Sequence, residues 1–122
     1  MIQITAHMRI LAAVAPVDFR KGIDGLCALC RQELQSDPFT GIMFVFVNRR
    51  RTALRTLVYD GQGFWLCHKR LSKGRFAWRF LSGGSRELAA QQLLALLWNE
   101  DPFGRQVREA FRPFAPTFFS SP

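Results

Sequence analysis

The sequence predicts an α+β domain, a mostly antiparallel sheet of about four to five strands with two helices packed on one face. Short apolar or alternating runs of strand length are separated by Gly, Pro and Asp turns. One longer segment repeats apolar residues with the three- and four-residue spacing of an amphipathic helix, and a second is rich in helix-forming Leu, Ala and Gln. The 122 residues, 48% of them hydrophobic, suffice for one domain with a buried core.

The first third of the chain predicts a strand, a helix and a second strand. Residues 8–14 form a short, mostly apolar run that Pro16 ends, which indicates a buried strand. Asp18 is expected to cap a helix. The apolar stripe of that helix comprises Phe19, Ile23, Leu26, Cys27, Cys30 and Leu34. Residues 42–47 are apolar throughout, which is typical of a central strand covered on both faces.

The middle of the chain predicts a hairpin, a further strand and a second helix. Residues 54–59 and 64–70 flank Asp60-Gly61-Gln62-Gly63, in which the glycines supply the positive φ of a tight turn. Residues 75–80 alternate aromatic and mostly cationic side chains, which indicates a half-buried strand with a cationic outer face. Residues 86–98 are rich in Leu, Ala and Gln and predict the second helix.

The ends of the chain bear on domain organisation and location. We predict one domain over residues 1–102 and an irregular C-terminal tail over 103–122, because the phenylalanines and prolines of the tail lack periodicity. No apolar run is long enough to cross a bilayer, and residues 1–7 lack the order of a signal peptide. We therefore expect a cytoplasmic protein without a membrane partner.

The positive charge is concentrated in one segment. Nine of the 17 lysines and arginines, but one of the nine carboxylates, lie at residues 49–79, so this segment accounts for the net charge of +8. Such a concentration predicts a surface that meets a polyanion, with nucleic acid the first candidate. Trp65 alternates away from its apolar neighbours and is a candidate for base or partner contact. The predicted nucleic-acid-binding residues are Arg49, Arg50, Arg51, Arg55, Lys69, Arg70, Lys73, Arg75, Arg79 and Trp65.

Cysteine and histidine suggest a zinc site only superficially. Cys27, Cys30, Cys67 and His68 are the residue types of a zinc site. Cys27 and Cys30 fall within the apolar stripe of the first helix, so we predict core thiols and no metal. The glycine-containing basic segment at 69–75 lacks the order of a Walker loop, so no nucleotide cofactor is expected either.

Three aspartates could form the carboxylate cluster of a magnesium-dependent nuclease. Local roles account better for each of them. Asp18 is predicted to cap the helix, Asp24 to pair with Arg20 on the helix surface, and Asp60 to make the hairpin turn. We therefore expect no catalytic residues.

Three blocks carry a family resemblance. The segments VDFRKGIDGL at 17–26, GIMFVFVNRRR at 41–51 and LVYDGQGFWLCHKRLSKGR at 57–75 resemble the accessory protein of the "sixty-six" family of insertion sequences. The likeness extends from about Ile4 to Leu97 in the same order and spacing. It implies a small non-enzymatic protein, encoded beside a separate acid-triad transposase and needed for efficient transposition.

Departures from the family pattern occur at three positions. Val47 stands where arginine is common, Tyr59 where tryptophan is frequent, and Arg79 where proline often follows the tryptophan. The loss of a cation at Val47 slightly weakens the basic turn.

The leading hypothesis is a transposition accessory protein that binds DNA, at the element ends, through its basic surface. The resemblance implies the transposase and a sister accessory protein as partners. One alternative is an adapter that docks the transposase with little DNA contact, and a third is a small metal-dependent nuclease.

Overall fold

The computed structural model describes residues 8–78 and 84–98. The predicted tail at 103–122 and Arg79 therefore lie outside the described residues. Within these residues, five strands, two helices and one 3-10 turn follow one another in the order β1 Ile10–Ala13, α1 Ile23–Gln32, 3-10 turn Pro38–Thr40, β2 Met43–Val47, β3 Ala53–Tyr59, β4 Phe64–Arg70, β5 Ser85–Leu88 and α2 Ala90–Leu97. The predicted α+β fold class is confirmed.

The five strands form one mixed sheet with the order β4-β3-β2-β1-β5. β1 and β2 are parallel, since α1 connects them across the sheet, and the other three pairings are antiparallel. β2 is central and all five of its residues are buried, as its continuous apolar sequence predicts. β4 spans Phe64–Arg70, the range predicted for the second strand of the hairpin.

The helices lie on opposite faces of the sheet. Alternate residues of β2 belong to two cores: Met43 and Val45 pack in the core that contains the α2 leucines, and Phe44 packs with the apolar stripe of α1. The prediction that both helices share one face is wrong. Because β2 has apolar side chains on both faces, each face of the sheet must be shielded from water. α1 packs on one face and α2 on the other.

The predicted second helix begins later than its sequence suggests. Residues 85–88 pair with β1 as an antiparallel strand, with Leu88 opposite Ile10, and α2 begins at Ala90. The sequence Ser-Arg-Glu-Leu has no strand pattern of its own. Pairing with the open edge of β1 outweighs its helix propensity.

The prediction of a strand at 75–80 is wrong for the residues that the structure describes, because residues 75–78 pair with no strand. The alternation nevertheless predicted burial correctly, since Phe76 and Trp78 lie in the α2-side core. The segment is anchored by side chains and by isolated hydrogen bonds rather than by a ladder.

Asp18 does not cap α1, contrary to prediction. The helix begins at Ile23 after Gly22, and no side chain among the described residues caps it. The Asp18 carboxylate instead accepts hydrogen bonds from Arg20, so the predicted pair between Arg20 and Asp24 is replaced by a pair within the preceding loop. Asp18 lies four positions before the N-cap residue Gly22, too far for N-cap geometry.

Candidate nucleic-acid interface

Two basic segments lie side by side at one end of the sheet. The amide of Leu71 donates to the carbonyl of Thr52 at 2.8 Å, and the amide of Phe76 donates to the carbonyl of Arg51 at 2.7 Å. These bonds join the β2–β3 turn to the segment that follows β4. The cations that become neighbours, all of them exposed, are Arg49, Arg50, Arg51, Arg70, Lys73 and Arg75. We call this set the basic end.

Asn48 holds the turn that carries the arginines. Its side-chain oxygen accepts from the amides of Thr52 at 2.8 Å and Ala53 at 3.1 Å, and its amide group donates to the Thr52 hydroxyl. Arg51 has a φ of 60°, the left-handed conformation that closes the turn. Sequence reasoning missed this role of Asn48, although an Asn at the start of a turn is a recognised signal.

The basic end is not neutralised within the described part of the chain. Across residues 8–78 and 84–98, the ion pairs are Arg9 with Glu87 at 3.1 Å and Arg20 with Asp18 at 2.8 Å. Neither pair includes a member of the basic end. The six cations therefore produce a local positive potential that favours an anionic partner.

A groove borders the basic end. The amide of Val17 donates to the carbonyl of Val47 at 2.8 Å, which fixes the loop after β1 beside the β2–β3 turn. The groove between them has a volume of about 910 Å³. Its lining residues are Val17, Asp18, Phe19, Arg20, Asn48, Arg49 and Arg50. The site thus combines a set of exposed cations with a partly apolar groove.

Arg55, predicted to contact nucleic acid, is occupied by internal contacts. Its Nη1 donates to the carbonyls of Phe19 at 2.8 Å and Lys21 at 3.2 Å, and its Nε donates to Nδ1 of His68 at 3.0 Å. The guanidinium also lies 4.6 Å from the centroid of the Phe19 ring. Burial, followed by the charges of Arg55 and Arg70, lowers the pKa of His68, which keeps the imidazole neutral and able to accept.

We expect Arg55→Lys to lower the free energy of unfolding by about 1–2 kcal/mol, although the charge is kept. An ammonium cannot reach two carbonyls and an imidazole with the geometry of the guanidinium fork. Arg70→Lys is the matched control, because Arg70 is exposed at the end of the neighbouring strand β4. Urea denaturation measures both variants, and equal loss of stability in the two would contradict the role assigned to Arg55.

Lys69 and Trp65 also lie apart from the basic end. The Lys69 ammonium donates to the carbonyl of Leu97, the last residue of α2, and lies 5.2 Å from the Trp98 ring centroid. This charge stabilises the C-terminal end of the helix. Trp65 is 41% exposed and its indole donates to Asp60 at 2.8 Å. Five strand positions, roughly 17 Å, separate it from Arg70 along β4.

The carboxylates and thiols do not form a metal centre in the part of the chain that the structure describes, where no group of three or more potential ligands occurs. Asp60 makes the hairpin turn as predicted, accepting from the amides of Gln62 and Gly63. Those bonds hold the pKa of Asp60 below its usual value. Cys27 and Cys30 pack on the α1 side of the sheet and Cys67 on the α2 side.

Purified, untagged protein should therefore contain no stoichiometric zinc. Burial raises the pKa of Cys30 to about 12, which disfavours the thiolate that a zinc ion requires. Elemental analysis of the reduced protein is the measurement. About one zinc per chain, lost in Cys30→Ser, would overturn the assignment of these thiols to the core.

One family model and two curated relatives match most of the chain. The model for IS66 Orf2-like proteins matches residues 8–102, which include both basic segments and the groove. The uncharacterized protein y4jC of Sinorhizobium fredii is 36% identical over 97 residues, covering 80% of this chain and 83% of that protein. The uncharacterized protein y4hO of the same organism is 35% identical over 107 residues, covering 88% and 91%.

No solved structure matches the chain significantly. Neither helix of the described part is long and apolar enough to span a bilayer. The match over residues 8–102 and the identity to two relatives along most of their length lead to one conclusion: the chain belongs to the IS66 Orf2-like protein family, which implies an accessory role in transposition.

Proposed function

We propose that this protein binds DNA phosphates through the basic end and thereby assists the transposase at the ends of its insertion sequence. One observation carries the proposal: backbone hydrogen bonds at Thr52 and Arg51 unite two basic segments that lie about 20 residues apart in sequence. Exposed cations from two separate segments thus lie on one surface of the folded protein. This clustering supports a role in binding one anionic partner.

The composition of the basic end suits phosphate. Five of its six cations are arginines, whose planar fork can donate two parallel hydrogen bonds to one phosphate group. Duplex DNA carries one negative charge per about 1.7 Å of its axis, so several of these side chains can reach phosphates at once. Binding would release condensed counterions, which makes the affinity strongly dependent on salt.

If the six cations make about six phosphate contacts, the log–log slope of affinity against salt should be near −5. Fluorescence anisotropy with a labelled duplex across a salt series measures it. Arg49→Ala with Arg50→Ala should reduce the slope by about 2 units. Arg9→Ala with Arg31→Ala removes the same charge at the opposite end of the sheet and should alter the slope far less. If the two double variants reduced the salt slope equally, a DNA-binding site localised at the basic end would be excluded.

A second candidate function is a protein adapter, and one observation favours it. Phe39 is 48% exposed at the end of the sheet opposite the basic end. Its ring contacts Tyr59 and Phe64, with centroids 4.9 Å and 5.1 Å apart. An exposed aromatic cluster of this kind is suited to a protein partner.

The adapter candidate has its own test. Phe39→Ser should abolish capture of the element's transposase in a pull-down while leaving duplex affinity unchanged. Loss of transposase capture in the Arg49→Ala, Arg50→Ala variant, with DNA affinity retained, would instead make the basic end a protein-docking surface.

A further inference from the structure

The loop at 18–20 holds an ion pair in an unusual position. Arg20 donates from Nε to both Asp18 carboxylate oxygens at 3.1 Å and from Nη2 to Oδ2 at 2.8 Å, and its backbone amide donates to Oδ1 at 2.9 Å. The Arg20 side chain is nevertheless 91% exposed and that of Asp18 is 48% exposed. The pair stands in solvent and supports no core.

The same pair lies in the wall of the groove, facing the β2–β3 turn with Arg49 and Arg50. The wall is fixed in place, since Val17 is bonded to Val47 and Arg55 is bonded to the Phe19 carbonyl. The residues that line the groove thus include three arginines and one aspartate. The Asp18 carboxylate accepts hydrogen bonds from Nε and Nη2 of Arg20. These are donors that could otherwise bind a phosphate.

We propose that the groove is a phosphodiester-binding site and that Asp18 is its built-in competitor, occupying the Arg20 fork until a nucleic-acid phosphate replaces it. The inference rests on the proposed function and extends it to a specific site. Carboxylate and phosphate offer the same bidentate geometry to arginine, so the exchange needs no rearrangement of the loop backbone. Asp18 lowers the affinity for any phosphate and thereby limits non-specific binding.

Exchange also requires no proton. The hydrogen bonds from Arg20 lower the pKa of Asp18 to about 2, so the carboxylate is charged at neutral pH in the free protein. The effect of Asp18 on binding should therefore persist across neutral pH and change with salt instead.

Asp18→Asn is the decisive variant. An amide has no charge and a single acceptor oxygen, so it cannot keep the bonds from the Arg20 side chain to both carboxylate oxygens. Arg20 then adds about one phosphate contact, and duplex affinity should rise about threefold to tenfold near 0.1 M salt, with a slope steeper by about 1. Asp37→Asn is the matched control, because it removes the same charge near the start of β2, at the other end of the sheet. An amide oxygen can still accept the bond from the Phe39 amide that Asp37 now accepts. This control should change affinity less than about twofold.

The outcomes are distinguishable. Suppose that Asp18→Asn binds the duplex no tighter than Asp37→Asn, while Arg49→Ala with Arg50→Ala still weakens binding. That result overturns the competitor role of Asp18 and leaves the proposed function intact. Absence of salt-dependent duplex binding by the wild type overturns both. Adding Arg20→Ala to Asp18→Asn should cancel the gain, and retention of the gain would show that Arg20 is not the group released.

Discussion

Phe44→Ala is expected to lower the free energy of unfolding by about 3–5 kcal/mol, a large share of the stability of a domain of this size. Phe44 is fully buried on the α1 side of the central strand. Its register partners are Leu11 on β1 and Leu57 on β3, and all three belong to one core. Removing the ring leaves a cavity. The flanking strands β1 and β3 cannot move to close it, because backbone hydrogen bonds hold both of them to β2.

Phe39→Ala is the matched control, because the same side chain is lost from an exposed site. Its ring contacts at the sheet end are worth about 0.5–1.5 kcal/mol. Urea denaturation with linear extrapolation measures both variants. Similar losses in the two would show that β2 is not the centre of the fold.

Removing two cations from each basic segment should lower duplex affinity by about 10²–10³-fold near 0.1 M salt and bring the slope from about −5 to about −2. The four substitutions are Arg49→Ala, Arg50→Ala, Lys73→Ala and Arg75→Ala. The physical reason is that each lost phosphate contact removes the release of about one counterion. Because the side chains are exposed, the fold should persist.

Anisotropy across a salt series measures the effect, with circular dichroism to verify folding. Each pair of substitutions alone should remove about half of the change in slope if the two segments contact one DNA molecule. If the pair in one segment accounts for the whole effect, the other segment is not part of the interface.

Much of the fold could be predicted from local patterns. The apolar run of β2, the Asp60 turn and the range of β4 are fixed by period and turn chemistry, which act within a few residues. β5 could not be predicted, because Ser85–Leu88 becomes a strand only through its pairing with β1. The same holds for the opposite placement of the helices, which depends on how the chain crosses the sheet.

The sequence predicted the basic segment at 49–79, but not which of its cations share one surface of the folded protein. Charge density alone could not distinguish Arg49 from Arg55, because the difference lies in distant carbonyls that Arg55 reaches and Arg49 does not. Lys69 likewise pairs with a helix end 28 residues away. The hydrogen bond between Phe76 and Arg51 is also non-local, so the sequence could not predict that the two basic segments are neighbours.

The central claim is that DNA contacts both basic segments together. An NMR titration of the isotope-labelled protein with a short duplex tests it most directly. We predict that amide resonances at 49–51 and 73–75 shift along one saturable curve, while those of the turn at 61–63, at the far end of the sheet, do not. Shifts confined to the 61–63 turn and Phe39, or absent altogether at low salt, would contradict the account.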